Sequence, residues 1–161
     1  MFIAFEGLDG CGKSTQLELL FDYLKKLEKK VIKVREPGGT EVGEKIRSIL
    51  LDKDLNINER SELLLFLASR AQLVEEIIKP ALKEGYFVLA DRFADSSIAY
   101  QGGARNLEIN TVDFLNKFAT NNVSPNIVFF IDISVDLAMK RINKKNKDRL
   151  ENEGRKFLEK V

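Results

Sequence analysis

Gly7, Gly12, Lys13 and Ser14 stand in the spacing G-x-x-x-x-G-K-[ST], the Walker A or P-loop pattern, whose chemistry is to hold a polyphosphate. Glycines let the backbone curl until successive N–H groups point into one concavity, and a helix starting just after them adds its positive end. Lys13 would reach the β- and γ-phosphates and the Ser14 hydroxyl would ligate Mg²⁺, with Asp9, Gly10, Cys11 and Thr15 in the same loop. The plain alternative is a glycine-rich turn that binds nothing, and the flanks decide against it. Phe2 to Glu6 is an apolar run of strand length, and Leu17, Leu20, Phe21, Leu24 and Leu27 recur at helical spacing after Thr15. The glycines sit on a strand-to-helix turn, and the turn is a nucleoside triphosphate site.

Composition narrows the chemistry by exclusion. The 161 residues contain no histidine and one cysteine, which removes His-based triads, His-ligated metals, thiolate zinc sites and intramolecular disulfides. Lys+Arg 26 against Asp+Glu 25 leaves the chain nearly neutral, so no nucleic-acid partner is expected. No apolar stretch reaches the ~18 residues of a membrane span, and the N-terminus lacks a signal peptide's features. A cytoplasmic protein of one domain, 1–161, is expected, without a membrane partner.

The elements that must carry the loop follow in order. A second strand, Val31 to Val34, leads into the Pro/Gly loop Arg35-Glu36-Pro37-Gly38-Gly39-Thr40, and Thr40 caps a helix through Leu51. Asn58 caps a long helix to about Glu84, which Pro80 should kink or break and Gly85 close. Tyr86 to Ala90 is a third strand, with Asp91-Arg92 at its carboxyl end. Asn110 caps a helix to Thr120, Ile127 to Ile131 is a fourth strand, and Ser134 caps a helix to about Asn143. Strands alternating with helices predict an α/β fold, a P-loop NTPase-type open parallel sheet covered on both faces. In such sheets ligands bind at the carboxyl ends of the strands, which is where every polar cluster falls. Asp91 is then the carboxylate that holds Mg²⁺, directly or through water.

A guanine-reading N-K-x-D is missing; Asn143-Lys144-Lys145-Asn146 lacks the aspartate. Arginines on the sheet edge fit phosphoryl transfer to a small phosphate-bearing acceptor, because repelling charges must be neutralised. Four blocks in order then resemble the thymidylate kinase (dTMP kinase) family of P-loop nucleoside monophosphate kinases. They are Glu6-Gly7-Leu8-Asp9-Gly10, Arg35 through Thr40, Phe66-Leu67-Ala68-Ser69-Arg70, and Asp91-Arg92-Phe93 through Gly102.

The resemblance implies transfer of the γ-phosphate of ATP to dTMP with Mg²⁺, giving dTDP for dTTP biosynthesis. It implies that Arg92 grips the dTMP phosphate with Arg35 near it, and that Asp9 accepts the sugar 3′-OH. Phe66 would stack on thymine while Arg70 donates to its O4, and Ser97 would meet the N3 edge. Tyr100, with Gln101 beside it, would crowd the 2′ position. Read by composition alone, Phe66 is a core residue and Tyr100 a packed tyrosine. Cys11 stands where some members carry an arginine, so the resemblance points to the bacterial type with a basic lid, here about 140–150. Arg149 is the first choice for the catalytic cation supplied by that lid and Arg141 the second, each acting with Lys13 and Arg92. Members continue further, so the chain as given lacks the last strand, an adenine loop and the last helix, and members commonly form homodimers. The alternatives are another nucleoside monophosphate kinase, or a non-catalytic ATP-binding regulator.

Overall fold

The computed structural model describes residues 1–142 and 148–161. Lys144, Lys145 and Lys147 of the expected lid, and the near-match at 143–146, lie outside the described residues. In chain order the elements are β1 (Phe2–Glu6), α1 (Lys13–Lys26), β2 (Val31–Arg35), α2 (Glu41–Leu51) and α3 (Glu59–Leu73). A π-helical turn, Val74–Ile78, joins α3 to α4 (Lys79–Lys83), followed by β3 (Phe87–Asp91) and α5 (Ala94–Ser97). A second π-helical segment, Ile98–Ala104, precedes α6 (Ile109–Thr120), β4 (Ile127–Phe130), α7 (Val135–Arg141) and the short α8 (Arg155–Leu158).

Among the described residues the strands form one parallel sheet in the order β2-β3-β1-β4. The alternation of strand side chains divides β1 between two cores. Phe2 and Ala4 join Val34, Leu73, Val74, Ile78 and Phe93 on the α3 face, while Ile3 and Phe5 join Leu17, Leu24 and Leu89 on the α1 face. Helices therefore cover both faces of the sheet at β1 and β3. β2 and β4 form the two edges, and all four residues of β4 are exposed. No helix among the described residues is long and apolar enough to cross a membrane.

Two helix expectations change. Pro80 does not break the long helix: it falls in the first turn of α4, directly after the wide π turn, so its missing N–H interrupts no α-helical ladder. Asn110 does not cap α6, which starts two residues earlier than such a cap would set it, at Ile109, with Glu108 in extended conformation at the cap position and its carboxylate accepting from the Thr111 hydroxyl. The caps at Thr40, Asn58 and Ser134 form, each side-chain oxygen accepting from backbone N–H groups of the first turn.

Parallel pairing places functional loops side by side. Asp91 is in register with Phe5 on one side and Arg35 on the other. The P-loop, the Arg35–Thr40 loop and Asp91-Arg92 thus leave the sheet at one edge.

Candidate functional site

The first half of the site is local. Gly7, Gly10 and Gly12 adopt φ of 139°, 78° and 103°, a left-handed region that favours glycine. A Cβ on Gly7 would meet the Ile131 carbonyl at 2.6 Å, whereas one on Gly12 would meet nothing within 4 Å. Gly7 is thus packed against the sheet and Gly12 opens to the cavity that Asp9, Gly10, Lys13, Ser14, Thr15 and Asp91 also line. Its volume is about 310 Å³. Lys13 is buried and donates to the Leu8 carbonyl at 2.8 Å, with Asp9 at 3.6 Å. Burial lowers its pKa and Arg92 adds to that, against the pull of Asp9. The Ser14 hydroxyl donates to Asp91 at 2.6 Å. Cys11 is turned under the loop, its Sγ 3.8 Å from Lys13 Nζ, which leaves no exposed thiol in the nest.

The second half is assembled from distant segments. A cavity of about 330 Å³ is lined by Asp9, Arg35, Phe66, Arg70, Arg92, Ser97, Tyr100 and Gln101, with Ser14 and Asp91 at its junction with the nest. Every residue expected for the acceptor nucleotide is therefore on one wall or another. Arg92 is its centre: it donates to Asp9 at 2.6 Å, to Ser96 at 3.2 Å and to the Tyr100 hydroxyl at 3.3 Å. Burial opposes its charge most strongly, but Asp9, Tyr100 and Glu6 together outweigh burial and raise its pKa. Asp9 is affected in the complementary sense, burial raising and Arg92 and Lys13 more than reversing it, so its carboxyl sits below the usual range. Arg35 is half exposed and paired with both oxygens of Glu44, at 3.0 and 3.1 Å.

Arg70 is held differently. It is 1% exposed, and it donates to Glu36, Ser97, Asn116 and the Phe93 carbonyl. With its donors so engaged, it meets a ligand carbonyl only by exchanging one of these partners, and two of them, Glu36 and Ser97, line the cavity with it. Gln101 is likewise held, donating to Glu62 at 2.9 Å.

The two arginines expected to serve the lid separate. Arg149 is committed between α2 and α3: it pairs with the fully buried Glu62 at 2.7 Å and donates through Nε to the Leu50 carbonyl at 2.9 Å. Arg141, at the end of α7, donates to the Gly10 carbonyl at 3.2 Å and is exposed. Arg149 thus has a buried carboxylate for a partner, and Arg141 has the P-loop.

Sequence reasoning missed Arg47, Glu36 and Ser96 as wall residues. Arg47 donates to the Pro37 carbonyl at 2.8 Å, and burial together with nearby Arg35 lowers its pKa. It lies one turn of α2 after Glu44, the partner of Arg35, a pairing that the structure reveals and the sequence does not. Glu36 follows a recognised arginine yet carries no expected role; burial raises its pKa against the attraction of Arg70.

A phosphate nest and an arginine-lined cavity meeting at Asp9, Ser14 and Asp91 define a P-loop kinase with a small phosphorylated acceptor. The sequence model of the thymidylate kinase family matches residues 5–161. The thymidylate kinase of Thermosipho africanus is 71% identical over all of this chain, which spans 80% of that relative's length. That of Fervidobacterium nodosum is 58% identical over all of this chain and 81% of its own length. The crystal structure of thymidylate kinase from Ehrlichia chaffeensis superposes with a TM-score of 0.79 at 42% identity, covering 88% of this chain and 81% of that one. The chain belongs to the thymidylate kinase family.

Proposed function

We propose that the chain phosphorylates dTMP to dTDP with ATP through the two facing half-sites, a backbone nest for the donor and an arginine-lined cavity for the acceptor. The observation that carries this division is the position of Arg92, which reaches Asp9 of the P-loop from the end of β3. A guanidinium there touches both compartments and can neutralise the acceptor phosphate beside the donor.

In this reading the ATP phosphates accept from the N–H groups of the loop Gly7, Asp9, Gly10, Cys11, Gly12, Lys13, Ser14 and Thr15, and Lys13 leaves the Leu8 carbonyl for them. An oxygen of the dTMP phosphate forms a bond to the γ-phosphorus as the bond to the bridging β–γ oxygen breaks, giving ADP and dTDP. The acceptor is already ionised, so no general base is needed; positioning and charge neutralisation suffice. Arg92 and Arg35 hold the acceptor phosphate, and Asp9, once released from Arg92, accepts the sugar 3′-OH. Phe66 offers a face to thymine, Arg70 and Ser97 its O4 and N3 edge, and Tyr100 with Gln101 closes the 2′ side.

Ser14 and Asp91 fit a Mg²⁺ site of the kind completed by nucleotide phosphates. Among the described residues there is no cluster of three or more acidic or cysteine side chains that would hold a metal unaided. The ion would supply charge neutralisation on the phosphates. Arg141 is the residue of choice for the further cation. Phe114 and Phe118, 68% and 80% exposed on α6, with Leu64 on α3, support a homodimer, which light scattering would test. We place the enzyme in the cytoplasm, where its substrates are.

The reaction is tested by product formation from MgATP with dTMP, dUMP, dCMP, dGMP and AMP in parallel. dTDP as the dominant product is expected. Equal turnover of dUMP would sink the assigned base, and ATP binding without transfer would favour a regulator.

A further inference from the structure

Arg92 has an unusual backbone. Its φ is 71°, the left-handed region that an L side chain enters only when its surroundings compel it. The compelling contacts converge on one carboxylate. Glu6 ends β1 and follows Phe2 and Ala4 on the same face of the sheet, so its side chain enters the core on the α3 side and is 4% exposed. Its Oε1 accepts the Phe93 backbone N–H at 2.7 Å and its Oε2 accepts the Ser96 hydroxyl at 2.6 Å. Ser96 in turn accepts from Arg92 Nη1 at 3.2 Å. The Arg92 backbone N–H donates to the Phe5 carbonyl at 3.0 Å, and the Phe93 carbonyl is held by Arg70.

We propose that Glu6 is a positioning residue for phosphoryl transfer, whose two oxygens fix the backbone after Arg92 and the hydroxyl beneath its guanidinium, so that Arg92 keeps its aim into the cleft when Asp9 lets go. This deepens the kinase reading above and rests on it. In the free protein Asp9 is the direct partner of Arg92, but Asp9 belongs to the phosphate-binding loop and must release the guanidinium to an acceptor phosphate. Glu6 belongs to the central strand, touches no part of the cavity, and keeps both donors throughout. The same short run, Glu6 to Ser14, therefore supplies the donor nest and, through one strand residue, the aim of the acceptor's arginine.

The test uses the full chain and two readouts. Hydrogen exchange at the Arg92 guanidinium, its NMR signal assigned by loss in Arg92→Lys, should be at least about tenfold faster in Glu6→Gln, since Gln offers an amide donor where Ser96 needs an acceptor. Turnover should fall about 10²-fold in kcat/KM for dTMP, as expected for a misaimed group, with KM for MgATP within about twofold. In the Arg92→Ala background Glu6→Gln should cost less than about twofold more, because the two act as a unit. Ser96→Ala removes only one of the two bonds and should move both readouts the same way by less, which keeps the test open if Glu6→Gln does not fold. Unchanged Arg92 exchange in either folded variant, or equal losses in both backgrounds, overturns the proposal. A wild-type chain that forms no dTDP would instead overturn the kinase reading, while the exchange result would still decide whether Glu6 sets Arg92.

Discussion

The donor nest and the acceptor cavity are built by opposite means. The nest is nine consecutive residues, Gly7 to Thr15, whose function lies in backbone N–H groups and three positive φ angles. The cavity draws on the loops after β1, β2 and β3, on α2 and α3, and on the π-helical segment, and its function lies in side chains that hold one another. In the nest, Lys13 rests on a carbonyl that it must leave. In the cavity, Arg70 and Gln101 are buried, Arg92 is largely covered, and each is hydrogen-bonded to a carboxylate before any ligand arrives. A polyphosphate tail is the same in every nucleotide, so its site can be adaptable. A base and a sugar must be told apart, and discrimination needs groups whose geometry is fixed beforehand.

The sharpest way to break this comparison is at the residue that joins the halves. Arg92→Ala should lower kcat by about 10³-fold, the scale of a lost transition-state arginine, and raise KM for dTMP. Affinity for MgATP, measured by calorimetry, should stay within about twofold. A parallel loss of ATP affinity would mean that the two compartments are not separable.

Next in size is the frame of the cavity. Glu62 is 0% exposed and receives Arg105, Gln101 and Arg149. Glu62→Gln should destabilise the fold by about 3 kcal/mol at pH 7, as when one partner of a buried ion pair is removed. Burial alone would raise the pKa of Glu62, but Arg105, Gln101 and Arg149 lower it below the ordinary 4.5. Its contribution is therefore present above that value and lost as pH falls through the depressed one. Urea titrations should show the wild-type advantage shrinking below about pH 4.5; a gap that persists to strong acid would assign it to packing rather than charge.

The same contrast explains how much the sequence discloses. The nest is contiguous, so spacing alone finds it, and the strand and helix that flank it are read from apolar periodicity. The four strands and the sheet edge follow from alternation, and β1 to β3 end within a residue of their expected limits. The cavity is not contiguous. Phe66 and Tyr100 look like core residues until the resemblance gives them a ligand, and the structure then sets both in the lining of one cavity. What stayed hidden depends on which partner a charge finds. Arg141 and Arg149 are equally basic in sequence, and only tertiary packing sends one to Gly10 and the other to Glu62. Arg47 was hidden because one arginine on a helix does not reveal the face it presents.

That pair offers the third prediction. Arg141→Ala should lower kcat by about 10²-fold, in the range for one charged group at the transition state, with the melting temperature nearly unchanged because the side chain is exposed. Arg149→Ala should do the reverse, lowering the melting temperature and sparing kcat to within about threefold once the protein is folded. Circular dichroism melts beside steady-state kinetics on both variants decide it. Loss of kcat in Arg149→Ala at unchanged stability would return the lid role to that residue.

The smallest expected effect probes how far the cavity reaches. Thr40 Oγ1 accepts from Gly43 N–H at 2.9 Å and caps α2, the helix that carries Glu44 and Arg47. Thr40→Ala should cost about 1 kcal/mol of stability by loss of the cap. The helix start is packed tightly, since a Cβ on Gly43 would meet the Gly38 carbonyl at 2.9 Å, so fraying there is passed to the Arg35–Thr40 loop. Because α2 serves the acceptor side alone, KM for dTMP should rise about twofold while KM for MgATP stays fixed, an effect about the size of a fraction of that cap energy. Thr40→Ser keeps the oxygen and should restore both values. A rise in both Michaelis constants would show α2 to be shared between the halves, and the division between nest and cavity would then stop at the sheet edge rather than extend into the helices.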